Sequence, residues 1–266
     1  MLNKLREILR VEGLSGIKIR VYGRFLKAKY RYLSIMGRST VSSAYGVKLK
    51  KNWLDAGFIY YVYAQYGTFY SEHLKSKNEE FAFLDIGAYQ GLYTLLAAKN
   101  INCCNAVAFE PVKNTFEFLK SNVQLNDVEE KCTLVNKGLG KNSGEFNIFV
   151  PWEDSGCASL NNHFDTNEKA IEETIEIVNG KIFDALFTTK TAIPIVCKID
   201  VEGGEQEIIE TLIEHNFIGR VSEIFYEVGE KWQDSDAIEN LLRSVGFKEF
   251  KKIGDGAVHY DILASR

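Results

Sequence analysis

Three acidic residues, Asp85, Glu110 and Asp200, stand at the ends of the short apolar runs Phe81-Ala82-Phe83-Leu84-Asp85-Ile86, Ala106-Val107-Ala108-Phe109 and Ile195-Val196-Cys197-Lys198-Ile199. Short apolar runs stopped by glycine, proline or charge read as buried strands. In an open parallel sheet, ligands bind outside the carboxyl ends of the strands, so these carboxylates are expected along one sheet edge. Glu110 follows Asp85 by 25 residues, about the separation at which nucleotide-binding α/β folds set an acid against ribose hydroxyls. A carboxylate accepts from both hydroxyls at once. Asp85 is placed to accept hydrogen bonds near the loop backbone and to position an ammonium group.

The loop that follows Asp85 is informative by what it lacks. Asp85-Ile86-Gly87-Ala88-Tyr89-Gln90-Gly91 has two glycines but no G-x-G-x-x-G for a pyrophosphate, and the chain has no G-K-[ST]. Its backbone can come close to a ligand, yet nothing asks for phosphate. S-adenosylmethionine carries a ribose and no phosphate and fits better than NAD, while a simple strand-to-helix turn stays open on the loop alone.

The elements that must position these residues follow an α/β order. After Gly91, Leu92 to Ala98 reads as helix. Phe116, Leu119 and Val123 give the next helix, Cys132 to Val135 a third strand, and Phe146, Ile148 and Val150 a half-exposed edge strand. From Trp152 to about Leu186 the pattern is least periodic, and loops over one end of the sheet are expected. Ile208, Ile209, Leu212 and Ile213 mark a helix behind the fourth core strand. A fifth strand runs from Glu223 to Val228, and a helix over Ile238 to Val245 stops at Gly246. Phe247 to Ile253 and Ala257 to Ala264 flank Gly254-Asp255-Gly256 and read as a β-hairpin. The reading is a mostly parallel sheet closed by a C-terminal antiparallel hairpin.

Bulk composition agrees with a large globular core: 266 residues, 45% hydrophobic, and three prolines. The net charge of −4 hides an asymmetry, because residues 1–51 carry 13 Lys/Arg against Glu7 and Glu12, a local excess of +11. This arm, interleaved with Tyr and Phe, predicts a helical segment that either is a solvated face or makes peripheral contact with anionic membrane. Residues 1–75 are assigned to the basic, mainly helical segment and 76–266 to the ligand-binding domain. Five cysteines form no C-x-x-C pair, and no apolar stretch has the length of a membrane span. A cytoplasmic protein is expected, peripheral at the inner membrane face if the arm engages lipid. Nucleic acid is not the expected partner.

Phe83 to Gly91 with Tyr93-Thr94, Ala108-Phe109-Glu110-Pro111 and Lys198-Ile199-Asp200-Val201-Glu202-Gly203-Gly204-Glu205, in this order and spacing, resemble the FkbM family of S-adenosylmethionine-dependent methyltransferases. Ser155 to Leu160 and Phe225-Tyr226-Glu227-Val228 add to the resemblance, which covers roughly residues 66 to 264. It implies a Rossmann-like class I methyltransferase fold with S-adenosyl-L-methionine as cofactor. By position, Asp85, Gly87, Ala88, Tyr89 and Gly91 would line the methionine part, Glu110 with Pro111 would hold the ribose, and Lys137, Gly138 and Leu139 would border the adenine. Tyr89 stands where family members usually have Asn, and Gly138 where they usually have Ala. Glu72 matches a common family Glu, and a lone surface Glu is its ordinary alternative.

Methyl transfer is an in-line displacement, so the enzyme must align an acceptor and relieve its proton. Asp200, then Glu202, then Glu227 are the candidate catalytic acids, and Asp200 also counts among the cofactor contacts. Glu205 is expected inside its helix, as a structural carboxylate more readily than a catalytic one. No metal is assigned, since no second Asp stands beside Asp200 and no histidine pair has ligand spacing, and metal dependence is left open. His163, in the irregular segment, is a weak substrate-facing candidate. The acceptor expected is a hydroxyl of a sugar, glycan or natural-product scaffold. An RNA-directed methyltransferase using the basic arm and an NAD-dependent oxidoreductase are the rival readings.

Overall fold

The computed structural model describes residues 21, 39–152, 154–160, 170–187, 193–229, 233–254, 256 and 259–266. The basic segment up to residue 38 (apart from Val21) and His163 therefore lie outside the described residues.

A seven-stranded sheet organises the molecule. Its strands are β3 (Phe81–Ile86), β4 (Cys103–Phe109), β5 (Cys132–Val135), β9 (Ile195–Ile199), β10 (Val221–Gly229), β11 (Glu249–Ile253) and β12 (His259–Ser265), in the order β11-β12-β10-β9-β3-β4-β5. Only β12 runs antiparallel to its neighbours. The expected terminal hairpin is thus present, with its second strand wedged between β10 and β11. All six residues of β3 are buried, as a strand covered on both faces requires.

Alternation along the strands feeds two cores. Phe81, Phe83 and Phe225 belong to one apolar cluster, and Leu84, Ile86, Tyr226 and Val228 to the other. Helices α3 (Leu92–Lys99) and α4 (Lys113–Leu125) cover the first face through Leu95, Leu96, Leu119 and Val123. Helices α6 (Glu205–Glu214) and α7 (Ser235–Ser244), with the one-turn α5 (Phe183–Leu186), cover the second through Ile208, Leu212, Ile238, Leu242 and Phe183. The chain moves outward from β3 through β4 to β5 and then returns to β9 on the other side. The strand order reverses between β3 and β9, which opens the crevice where such folds bind ligands.

Residues 39–76 form a hairpin, β1 (Thr40–Ser42) with β2 (Lys48–Lys50), and helices α1 (Ala56–Tyr63) and α2 (Phe69–Ser76). The hairpin is a departure from the mainly helical reading of this segment. Asn122 on α4 and Asn126 just past its end explain it, because their side-chain oxygens accept the Lys50 and Lys48 backbone N–H groups at 2.6 and 3.0 Å. Val41, Leu49, Phe58 and Leu74 share the first core with Phe83 and Leu95, so an apolar cluster runs across the boundary drawn at residue 75.

A second sheet, ordered β6-β8-β7, comprises β6 (Gly138–Leu139), β7 (Gly144–Pro151) and β8 (Ala170–Val178). It corrects the expectation of loops from Trp152 to Leu186: nine of those residues are a strand. Glu172, Glu173 and Glu176 mask the alternation in composition, but Ile175 and Ile177 turn inward onto Ile148, Val150 and Val112. No helix among the described residues is long and apolar enough to cross a membrane.

Candidate active site

Register places the chemistry-bearing side chains in two rows on one face of the sheet. Asp85 on β3 is directly opposite Lys198 on β9, and Lys198 opposite Phe225 on β10. Two residues further toward the carboxyl edge, on the same face, come Glu110, Gly87, Asp200 and Glu227, the last opposite Asp261 on β12. The first row is buried and the second opens into a cavity of about 470 Å³, ample for a small molecule.

One wall of the cavity is shaped by the loop after β3. Gly87 has φ +77°, and a Cβ there would lie 1.7 Å from the Asp200 carbonyl oxygen, so only glycine lets the two strand ends come this close. The Gly87 and Ala88 N–H groups donate to the Phe109 carbonyl at 3.1 and 2.9 Å, and Gly91 caps α3. Glu110 is 5% exposed and accepts from the backbone N–H groups of Tyr89 and Val112, both at 2.9 Å. Burial outweighs these bonds and pushes its carboxyl up to about 7. Asp85 is 1% exposed; its Oδ2 accepts from Thr94 Oγ1 at 2.5 Å, while its Oδ1 has no hydrogen-bond partner. Burial raises the Asp85 carboxyl against the pull of Lys198.

On the other side, Asp200, Glu202 and Glu227 each offer a carboxylate oxygen within 4.8 Å of the others. Burial and then Asp200 and Glu227 push Glu202 up to about 9, as like charges in one site must. Glu202 itself has φ +55° ahead of Gly203 at +105°. The turn is held by Glu205, which accepts from the N–H groups of Val201 (2.9 Å) and Gly203 (3.1 Å) and from Gln233. Glu205 is therefore the structural carboxylate its place in the sequence suggested. Glu227 Oε1 lies 2.5 Å from His259 Nε2. That bond raises the imidazole to about 9, and burial followed by Glu227 and Asp200 raises Asp261 to about 7.

Of the residues singled out in the sequence, Gly87, Tyr89, Glu110, Pro111, Gly138, Leu139, Asp200, Glu202 and Glu227 all border this one cavity. Asp85, Ala88 and Gly91 do not; they sit behind its wall. Lys137 turns outward to Glu176 at 2.5 Å, and Glu72 pairs with Lys75 on the surface. Neither borders the cavity. Sequence reading missed Tyr61, Tyr66, Asp154, His259 and Asp261, which do, and gave no role to Tyr93, which also does. Tyr61 and Tyr66 come from a segment whose packing no local motif records. Asp261 had a usable signal, the period-two alternation of the hairpin.

The departure at Tyr89 also finds its cause. With φ +52°, its ring extends over α1, where its hydroxyl donates to Asp55 Oδ1 and accepts from Gln90 Nε2 at 2.8 Å. Any Cβ at position 57 would stand 2.9 Å from that hydroxyl. Asp55 also caps α1 through the Phe58 N–H at 3.1 Å and accepts from Ser155 Oγ at 2.6 Å.

Among solved structures, the chain is similar to the methyltransferase domain of METTL16 (16% identity, 74% of this chain and 64% of that one, TM-score 0.43). It is also similar to precorrin-6y C5,15-methyltransferase from Geobacter metallireducens (14%, 74% and 87%, 0.41). A third likeness is to Sp1610 of Streptococcus pneumoniae in complex with S-adenosyl-L-methionine (17%, 74% and 71%, 0.43). The chain thus spans just under two thirds of the first of these. No curated protein matches. The Methyltransferase FkbM domain model matches residues 85–249, from the Asp85 loop through the acids of β9 and β10 into the terminal hairpin, which is more than half of the chain. The protein therefore belongs to the FkbM family of methyltransferases, enzymes that use S-adenosylmethionine.

Proposed function

We propose that the protein transfers the methyl group to a hydroxyl of a neutral sugar, glycan or natural-product scaffold. The observation that carries this reading is the convergence of Asp200, Glu202 and Glu227 in the cavity that the Gly87 loop and Glu110 also border. These residues fit the cofactor. Glu110 is a buried carboxylate suited to a hydroxyl pair, Asp85 adds a second buried carboxylate behind the loop, and the absence of a side chain at Gly87 lets the loop backbone border the cavity. In this reading Asp85, Gly87, Ala88, Tyr89 and Gly91 hold or shape the methionine side, Glu110 and Pro111 the ribose, and Gly138 with Leu139 the adenine. The cofactor supplies an electrophilic methyl on a good leaving group.

The protein must then orient an acceptor oxygen and take its proton. Asp200 is the first candidate to accept that proton, being the cluster member held against Lys198 at 3.0 Å. Glu202, raised to about 9, carries its own proton at neutral pH and donates a hydrogen bond to the acceptor rather than receiving its proton. Glu227, tied to His259 at 2.5 Å, offers the proton a way to solvent. Carboxylates outnumber cations at this end, which argues against a phosphate-bearing acceptor and thus against the RNA-directed reading.

Labelled S-adenosylmethionine incubated with neutral glycans, sugar nucleotides, hydroxylated scaffolds and RNA tests the proposal. Label is expected in a neutral hydroxyl compound, as a base-stable ether. Transfer to RNA alone, or to nitrogen or carbon, overturns it. Asp200→Asn is expected to lower turnover by about a hundredfold or more while S-adenosylhomocysteine still binds.

A further inference from the structure

The buried ammonium of Lys198 belongs to neither role assigned so far, and it touches both. Its side chain is 4% exposed. Nζ lies 3.0 Å from Asp200 Oδ2, 3.7 Å from Asp85 Oδ1 and 3.2 Å from the Gly87 carbonyl oxygen, with the Tyr93 ring centroid 5.5 Å away. It also borders the cavity. The more distant charges that act on it or feel it are Glu227 on β10, Glu110 after β4 and Asp261 on β12. Burial works against a charged lysine here, but Asp200 and Asp85 outweigh it and hold the ammonium above its ordinary range.

We propose that Lys198 is a positioning residue that ties the Gly87 loop to Asp200 and sets the charge balance of the site between the cationic cofactor and its neutral-sulfur product. One ammonium bonded to the loop carbonyl on one side and to the acceptor-side carboxylate on the other fixes their separation, which in-line transfer depends on. The same ammonium offsets two carboxylates beside the cavity. Without it, a cation in the cavity would meet them unopposed, and a buried interaction of this kind is weakly screened. The inference rests on the loop being the cofactor wall, as proposed above.

The test is calorimetric titration of the full chain with S-adenosylmethionine and with S-adenosylhomocysteine, in wild type and Lys198→Met. The variant is expected to bind S-adenosylhomocysteine at least about tenfold more weakly, through the loosened loop. Its preference for S-adenosylmethionine over S-adenosylhomocysteine should rise at least about fivefold, a shift that a merely structural lysine would not produce. A folded variant whose preference stays within twofold of wild type overturns the proposal. Should Asp85, left as a lone buried charge, prevent Lys198→Met from folding, Asp85→Asn/Lys198→Met is compared with Asp85→Asn, and the same shift in preference decides. Gly87→Ala separates the underlying reading. If it binds S-adenosylhomocysteine as wild type does, the loop assignment and the proposal fall together. If it stays folded by urea unfolding and loses binding while Lys198→Met shows no shift, the loop assignment stands and only the role of Lys198 is rejected.

Discussion

At the scale of single residues, this site is defined by backbone approach as much as by charge. Gly87 combines a left-handed φ with a Cβ position occupied by the Asp200 carbonyl. Gly87→Ala is therefore expected to destabilise the ligand-free protein by at least about 2 kcal/mol, measured by urea unfolding. A stability within 0.5 kcal/mol of wild type, as an order-of-magnitude bound for a harmless change, would mean that the strand ends are not packed this way. Tyr89→Phe removes the hydroxyl that donates to Asp55 and receives from Gln90. A loss of about 1–2 kcal/mol is expected, and an unchanged unfolding midpoint would show that the bond contributes nothing. Residues of the loop after β3 were readable in the sequence because a glycine with no alternative leaves its mark in the local pattern. Lys198 was not assigned a role, since only the register of β3 against β9 reveals that it faces Asp85.

At the scale of elements, the central strands β3 and β9 were legible because both faces are buried and the residues are accordingly almost all apolar, while the outer β11 and β12 showed through the turn residues between them. The second sheet was only half legible. β7 showed its alternation through Phe146, Ile148 and Val150, whereas β8 hid a one-sided apolar face among glutamates that point to solvent. Likewise the hairpin β1–β2 is too short to carry a pattern, and its place is fixed by two asparagines more than 70 residues away. The second sheet roofs the side of the cavity proposed for the adenine, where Ile177 Cγ1 would lie 3.2 Å from a Cβ at Gly138. Ile177→Ala is expected to weaken S-adenosylhomocysteine binding about tenfold, the effect of one to two buried methylenes. Calorimetry showing unchanged affinity would place the adenine elsewhere.

At the scale of the whole molecule, the fold gathers carboxylates from four strand ends into one partly dry space. Glu110, Glu205 and Asp261 are each raised to about 7 by burial, and Glu202 to about 9. In the unfolded chain these groups titrate near 4. Between those values the folded state holds protons that the unfolded state has released. Stability is therefore fully present at low pH and is lost as pH rises through 7 and, for Glu202, through 9, each group contributing up to about 1.4 kcal/mol per pH unit in its window. The melting temperature of the ligand-free protein is expected to fall from pH 5.5 to pH 8.5, and a rising profile would contradict the burial described. The Tyr89–Asp55–Ser155 connection carries a different consequence, for how the enzyme can be altered. Because one aspartate at the start of α1 answers to the loop after β3 and to the segment after β7 alike, the loop is not a portable cassette. A relative's Asn placed at position 89 would leave the smallness of Gly57 without its reason and Asp55 with only its Phe58 and Ser155 bonds, so positions 57 and 89 are inherited, or exchanged, together.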